Sequence, residues 1–196
     1  MQSRIEERFF VTNFDNVKIK LNSNLKLLRK NYVTTMWFSF NKEGKKVPGQ
    51  LRIRFYDFVS ELKPSLKCFL EFKMLGMTKE RNLKERKQFR YSDAVNFIRN
   101  PVKLKGHFFF ASTFSNKTKL DISCIKSCLR HHYVLNNISP DEFRVTLDSE
   151  IKFYDINKRF NKLTENEKKF PGCVCELKYN KDKKEWAKWF RNLFIS

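Results

Sequence analysis

Six stretches of this chain alternate charged and apolar residues with period two, and this pattern limits the fold more than any other feature. Successive side chains of a strand point to opposite faces, so each stretch has one charged and one mostly apolar side. Arg4, Glu6 and Arg8 stand against Ile5, Glu7 and Phe9; Arg52 and Arg54 against Leu51, Ile53 and Phe55; Glu71 and Lys73 against Leu70, Phe72 and Met74. Arg130 and His132 share a face, as do Arg144, Thr146, Asp148 and Glu150, and as do Glu176 and Lys178. A single amphipathic strand ordinarily belongs to a sheet with one wet face. Here all six charged sides are dominated by Arg, Lys and Glu rather than by Thr, Ser and Gln. Two sheets cannot pack such faces dry, because unpaired buried charges cost several kcal/mol each. A closed, water-filled barrel satisfies them, with apolar sides outward under helices and charges lining a lumen. Such a lumen suits phosphate oxygens, which arginine grips bidentately, and its few glutamates suit a hard divalent metal bridging phosphates.

Composition agrees with a polyanionic partner. The formal net charge is +20, from 41 Lys and Arg against 21 Asp and Glu, an excess that points to nucleic acid, a membrane surface or phosphates. The 196 residues fit one domain over 1–196, and 41% hydrophobic content with 21 Phe supplies a core. No apolar run reaches the roughly 18–20 residues needed to span a bilayer, and the start MQSRIEERFF has no signal-peptide core. A soluble, cytoplasmic protein is expected, with its five cysteines as free thiols.

Strands are expected over 4–11, 34–40, 50–58, 67–75, 106–112, 127–135, 142–154 and 172–179. Helices are expected over 92–100, with Ser92 as N-cap, over 183–194, and more weakly over 22–32. In the second helix Trp186, Trp189, Phe190, Leu193 and Phe194 form one apolar stripe; the lysine-rich 180–185 before it reads as a solvated turn. The resulting class is α+β, mainly β: an eight-stranded antiparallel closed barrel with a few covering helices and a C-terminal helix. Cys124, Cys128, His131 and His132 match no standard pair of zinc knuckles. Cys173 and Cys175 read as thiols buried under a helix.

The charged stretches, in order, resemble the triphosphate tunnel metalloenzymes, and within them the catalytic domain of the VTC-type polyphosphate polymerases. Arg4-x-Glu6-x-Arg8 is similar to the family's first-strand R-x-E-x-K, and LRIRFY to its R-x-R strand. FLEFKM resembles its E-x-K strand, and either Lys79–Arg81 or Lys84–Arg86 the basic element after it. CLRHHY resembles Y-x-R-x-x-F, FRVTLDSEI closely resembles R-[IV]-[ST]-L-D-x-x-[IL], and CELKY resembles the closing E-x-K. Arg8 replaces the usual lysine and Cys128 the usual tyrosine.

The resemblance implies a tunnel that binds a nucleoside triphosphate and transfers the ATP γ-phosphate onto a growing polyphosphate chain. It implies Lys73, Arg130, Arg144 and Lys178 as catalytic cations. Arg4, Arg8, Arg52, Arg54, Lys84 and Arg86 would be phosphate-binding residues. Glu176, helped by Glu6, would hold a divalent metal, Mn2+ or Mg2+. The partners implied are ATP and inorganic polyphosphate, with no nucleic acid. A tripolyphosphatase or a nucleoside or thiamine triphosphatase of the same fold is the alternative enzyme. Such hydrolases tend to carry E-x-E-x-K on the first strand, where this chain has Arg4. A non-catalytic polyphosphate or nucleic-acid binding module is the alternative without chemistry.

Overall fold

Asn13 accepts a hydrogen bond from the Asn16 amide at 3.0 Å and caps a helix, α1 (Phe14–Asn24), that buries Val17 and Leu21 one turn apart. The computed structural model describes residues 4–42, 45–59, 61–73 and 84–195. Met74 and the Lys79–Arg81 triplet lie outside these residues, as does the side chain of Arg4.

The strands are β1 (Arg4–Val11), β2 (Lys26–Lys42), β3 (Lys45–Phe55), β4 (Lys67–Lys73), β5 (Lys84–Arg90), β6 (Thr118–Val134), β7 (Phe143–Ile156), β8 (Leu163–Lys169) and β9 (Cys173–Asn180). Two more helices are α2 (Tyr91–Arg99) and α3 (Lys184–Ile195). Hydrogen bonding follows the order β1-β9-β7-β6-β2-β3-β4-β5, with β8 on β7. The expected eight-stranded closed barrel is therefore corrected to an open nine-stranded path, unclosed among the described residues. Its ends are strands of mixed charge. β5, KERKQFR, exposes most of both faces, the usual protection of a sheet edge.

Contacts divide the chain into two compact units, between which β2, β6 and β7 are shared along their length. The first comprises Met1–Tyr32, Cys128–Ile151 and Lys169–Ser196. Its apolar side buries Phe143, Val145, Leu147, Cys175 and Leu177 of β7 and β9 together with Leu21 of α1 and Ala187 and Phe190 of α3. Cys173 and Cys175 are buried free thiols in this cluster, as expected. Arg191 of α3 clamps Glu7 of β1 at 2.6 and 2.8 Å, and Lys20 of α1 reaches the Leu193 carbonyl at 3.0 Å. Gly172 precedes β9 because a Cβ there would lie 2.4 Å from the Val11 carbonyl oxygen.

The second unit comprises Val33–Ser127 and Lys152–Lys168. Leu51, Ile53, Leu70 and Phe72 pack against Ala94, Phe97 and Ile98 of α2 and against Leu104, Phe108, Ala111 and Phe114. The expected strand over 106–112 is instead part of two 3-10 segments, Pro101–Gly106 and Phe109–Thr113. The reason lies in the spacing. Phe108, Ala111 and Phe114 recur every three residues, so a three-residue turn delivers all of them to the core. Other differences are local. Residues 26–32 extend into β2 rather than forming a helix, and 181–183 form a 3-10 turn that leads into α3. α2 begins at Tyr91, and the Ser92 amide bonds to the Pro64 carbonyl at 3.1 Å, so Ser92 is not its cap. β5 and β8 carry no period-two signal and were not anticipated. No described helix is long and apolar enough to cross a membrane.

Candidate phosphate-binding site

Register assembles the charged residues into rows. In the second unit Arg52 of β3 stands opposite Glu71 of β4, which stands opposite Arg86 of β5. The next row holds Thr35, Arg54, Phe69 and Gln88. The Glu71 carboxylate, 1% exposed, is the hub. It accepts hydrogen bonds from Arg52 and from Lys84 at 3.1 Å, and pairs with Arg86 at 3.4 Å and Arg54 at 3.5 Å. Four cations of the described residues thus surround this one carboxylate. Burial alone would raise the Glu71 carboxyl, but Arg54, Arg52 and Lys84 outweigh it and hold it at about 2. Burial in turn lowers the Lys84 ammonium. Lys73 stands opposite Gln50 and Lys84, with no carboxylate pairing it among the described residues.

The first unit gathers a second set. Glu6 of β1 faces Lys178 of β9, and Arg8 faces Glu176. On the other side of β9, Lys178 faces Arg144 and Glu176 faces Thr146 of β7. Lys178 bridges the two glutamates, at 2.6 Å from Glu6 and 2.9 Å from Glu176, while Arg8 donates to the far oxygen of Glu176 at 2.7 Å. Burial would raise the Glu176 carboxyl, yet Lys178 and Arg8 hold it at about 2. Asp148 takes Arg130 in a bidentate grip at 2.5 and 2.6 Å. Burial works against the Arg130 cation, but this grip prevails and raises its pKa.

The donor set fits a hard divalent cation. Glu176 and Glu6 offer carboxylate oxygens around a position now bridged by an ammonium, and would give Mg2+ or Mn2+ the one or two carboxylates such ions commonly take before completing their shell with phosphate and water. Among the described residues no three His, Cys, Asp or Glu come together as a complete protein cage.

Of the residues expected at the site, Arg52, Arg54, Lys84 and Arg86 join one cluster, and Glu6, Arg8, Glu176 and Lys178 the other. Arg130 and Arg144 lie in that second set, through Asp148 and through register with Lys178. Asp148 had been placed on a charged face without a role. His132 stands in the sequence beside Arg130 and with Cys124, Cys128 and His131, which match no zinc knuckle. His132 is 5% exposed, and its Nε2 is buried without a hydrogen-bond partner, as is Thr146 Oγ1. Burial and the neighbouring Arg29, Arg130 and Arg144 push its imidazole down to about 3, so it is neutral. His131 points the other way, against Phe14 of α1. The sequence signal for Asp148 is its alternation with Arg144 and Thr146, four and two residues earlier.

The PH1819 protein from Pyrococcus horikoshii OT3 shares the fold with a TM-score of 0.54 at 14% identity, over 97% of this chain and 89% of its own. The PH1012 protein from the same organism gives 0.52 at 16% identity, over 98% and 90%. A candidate adenylate cyclase from Vibrio parahaemolyticus gives 0.51 at 15%, over 98% and 84%. No curated protein matches the chain by sequence. A family model described as the VTC domain matches residues 33–194, a span that holds the whole Glu71 cluster together with Arg130, Arg144, Asp148, Glu176 and Lys178. With that share of its length matched, the chain belongs to the VTC domain family.

Proposed function

We propose that this protein is a polyphosphate polymerase that transfers the γ-phosphoryl group of ATP to the end of a polyphosphate chain. The family supports a polyphosphate-related, triphosphate-handling function. The observation that carries the finer reading is the Glu71 cluster. One buried carboxylate gathers four cations on one charged strand face, an arrangement that suits an anion of several charges as ligand.

In this reading a terminal oxygen of the polyphosphate attacks the γ-phosphorus. The bond from that phosphorus to the β–γ bridging oxygen breaks, and ADP leaves with the electron pair. Arg52, Arg54, Lys84 and Arg86 exchange part of their hold on Glu71 for phosphate oxygens. Lys73, with no carboxylate of its own among the described residues, is available for the same purpose. Arg130, locked by Asp148, presents a fixed guanidinium, and Arg144 and Lys178 add charge where oxygens become more negative. Glu176 and Glu6 would hold the divalent ion, which when bound neutralises phosphate charge. The test is incubation of the protein with ATP and manganese, with polymer read on a polyphosphate-stained gel beside a free-phosphate assay. Polymer is expected. Free phosphate without polymer would make the enzyme a hydrolase, and no turnover of ATP would overturn the reading.

A further inference from the structure

The charged face of the second unit does not end in charge. Two residues beyond Arg54, just past the end of β3, comes Tyr56, and the residue opposite Arg54 on β4 is Phe69. Both have the parity of Arg52 and Glu71, so the face that begins as a phosphate-binding row continues as an aromatic one. Tyr56 and Phe69 meet edge to face at a centroid distance of 5.6 Å. Beside them opens a pocket of about 600 Å3 whose wall also includes Phe58, Lys63 and Lys67. Tyr56 is 37% and Phe58 47% exposed, although both are large rings of a kind that normally seeks a core. Single exposed aromatics are common on surfaces, but a pocket with two of them beside a half-buried third, Phe69, in its wall is not.

One side chain joins this pocket to the phosphate cluster. The Arg86 guanidinium lies 3.7 Å from the Phe69 ring centroid and 5.1 Å from that of Tyr56, while its Nε is 3.4 Å from the Glu71 carboxylate. Arg86 therefore belongs to the anion cluster at one edge and to the aromatic platform at its face. A ligand that satisfies both halves carries phosphates at one end and a flat π-system at the other.

We infer that the Tyr56–Phe58–Phe69 pocket receives the nucleobase of the nucleoside triphosphate whose phosphates engage the Glu71 cluster. The inference rests on the proposed phosphate-binding role of that cluster and adds the subsite that separates a nucleotide from a bare polyphosphate. Stacking on aromatic rings and on a guanidinium tolerates any base, so ATP and GTP should bind similarly.

The experiment is calorimetric titration of the full chain with ATP, ribose 5-triphosphate and inorganic tripolyphosphate, for the wild type and for Tyr56→Ala and Phe58→Ser, with melting temperatures as a folding control. The expected result is that either substitution weakens ATP roughly five- to a hundredfold and leaves tripolyphosphate unchanged. Unchanged ATP affinity in both variants overturns the inference and leaves the phosphate reading standing. Equal weakening of ATP and tripolyphosphate, at unchanged melting temperature, also overturns it, because the pocket would then be handling phosphate. Should a variant fail to fold, the wild type decides: ATP must bind at least several-fold tighter than ribose 5-triphosphate, and equality refutes a base site. If the wild type binds none of the three ligands, the phosphate reading falls and takes this occupant with it.

Discussion

Replacing Glu71 by Gln keeps the shape of the side chain and removes the charge at the centre of four cations. The cost can be worked from the carboxyl itself. Its pKa, ordinarily 4.5, is held at about 2 in the fold, so at neutral pH the ionised form contributes roughly 3 kcal/mol to stability. The side chain is 1% exposed, so solvent does little to screen this figure. For a chain of this length, losing it should lower the melting temperature by roughly 6–12 °C. Because the folded pKa is depressed, the wild-type advantage is complete above about pH 4.5 and disappears as the pH falls toward 2; the two melting curves should converge over that window. The variant also leaves Arg52, Arg54, Lys84 and Arg86 repelling one another. Added tripolyphosphate should therefore raise its melting temperature by more than it raises that of the wild type, since the ligand supplies the missing anion. Differential scanning fluorimetry across pH, with and without tripolyphosphate, measures all three effects. A Gln variant that melts with the wild type at pH 7, or that gains no extra stabilisation from the polyanion, would refute the reasoning.

Other consequences follow from the same geometry. Lys73→Met should lose transfer while melting near the wild type. Leu70→Asp, on the buried side of the same strand, should unfold the protein because it places an unpaired charge in the core; the reverse outcome on thermal melting would mean that the two faces are assigned backwards. Glu176→Gln should reduce ATP turnover by orders of magnitude in a folded protein, and near-normal turnover with manganese would remove Glu176 from the site. His132 is held neutral with its pKa near 3 rather than 6.5. Its contribution to stability is thus present above about pH 6.5 and falls by up to about 1.4 kcal/mol per pH unit as the medium acidifies. His132→Gln should flatten the dependence of chemical-denaturation stability on pH between about 6.5 and 5, leaving the smaller part due to His131, whose burial also lowers it.

Strands with one apolar side could be read directly, because burial writes period two into the sequence. β1, β3, β4, β7 and β9 are such strands, and α3, with its apolar stripe, is the helical counterpart. What alternation could not supply was register. Parity puts Glu71 on the side of Lys73, but nothing in FLEFKM says that its neighbours are Arg52, Lys84 and Arg86; only the pairing of β3, β4 and β5 does. β5 was invisible for a physical reason. An edge strand with most of both faces in water has no side to make apolar, so KERKQFR carries no period at all. The closed barrel was inferred from charge that needed water. An open path of strands satisfies the same requirement, since charged rows need only be wet, not enclosed. Tyr56 and Phe69 share the parity of the arginines, but an aromatic residue on a strand reads as core by default; the pairing of Phe69 with Arg54 and the stacking of Arg86 on both rings come only from the structure.

The two charged sets differ in a way that their ligands explain. Among the described residues, the Glu71 carboxylate pairs with four cations. In the first unit Arg8, Arg130, Arg144 and Lys178 are set among Glu6, Asp148 and Glu176, four against three. Stability alone selects for neither arrangement. A buried ion pair is often matched or bettered by apolar residues of the same volume, and unbalanced cations repel. An excess of cations lowers the energy of the loaded state when the ligand is an anion alone. Near-balance would do so for an anion accompanied by a divalent cation, because Glu176 and Glu6, which now pair with Lys178 and Arg8, would then hold the metal and Lys178 and Arg8 would face phosphate. On the proposed reading the Glu71 set therefore suits the phosphates of a nucleotide or of a polyphosphate, and the Glu176 set adds the carboxylates that would hold a divalent ion.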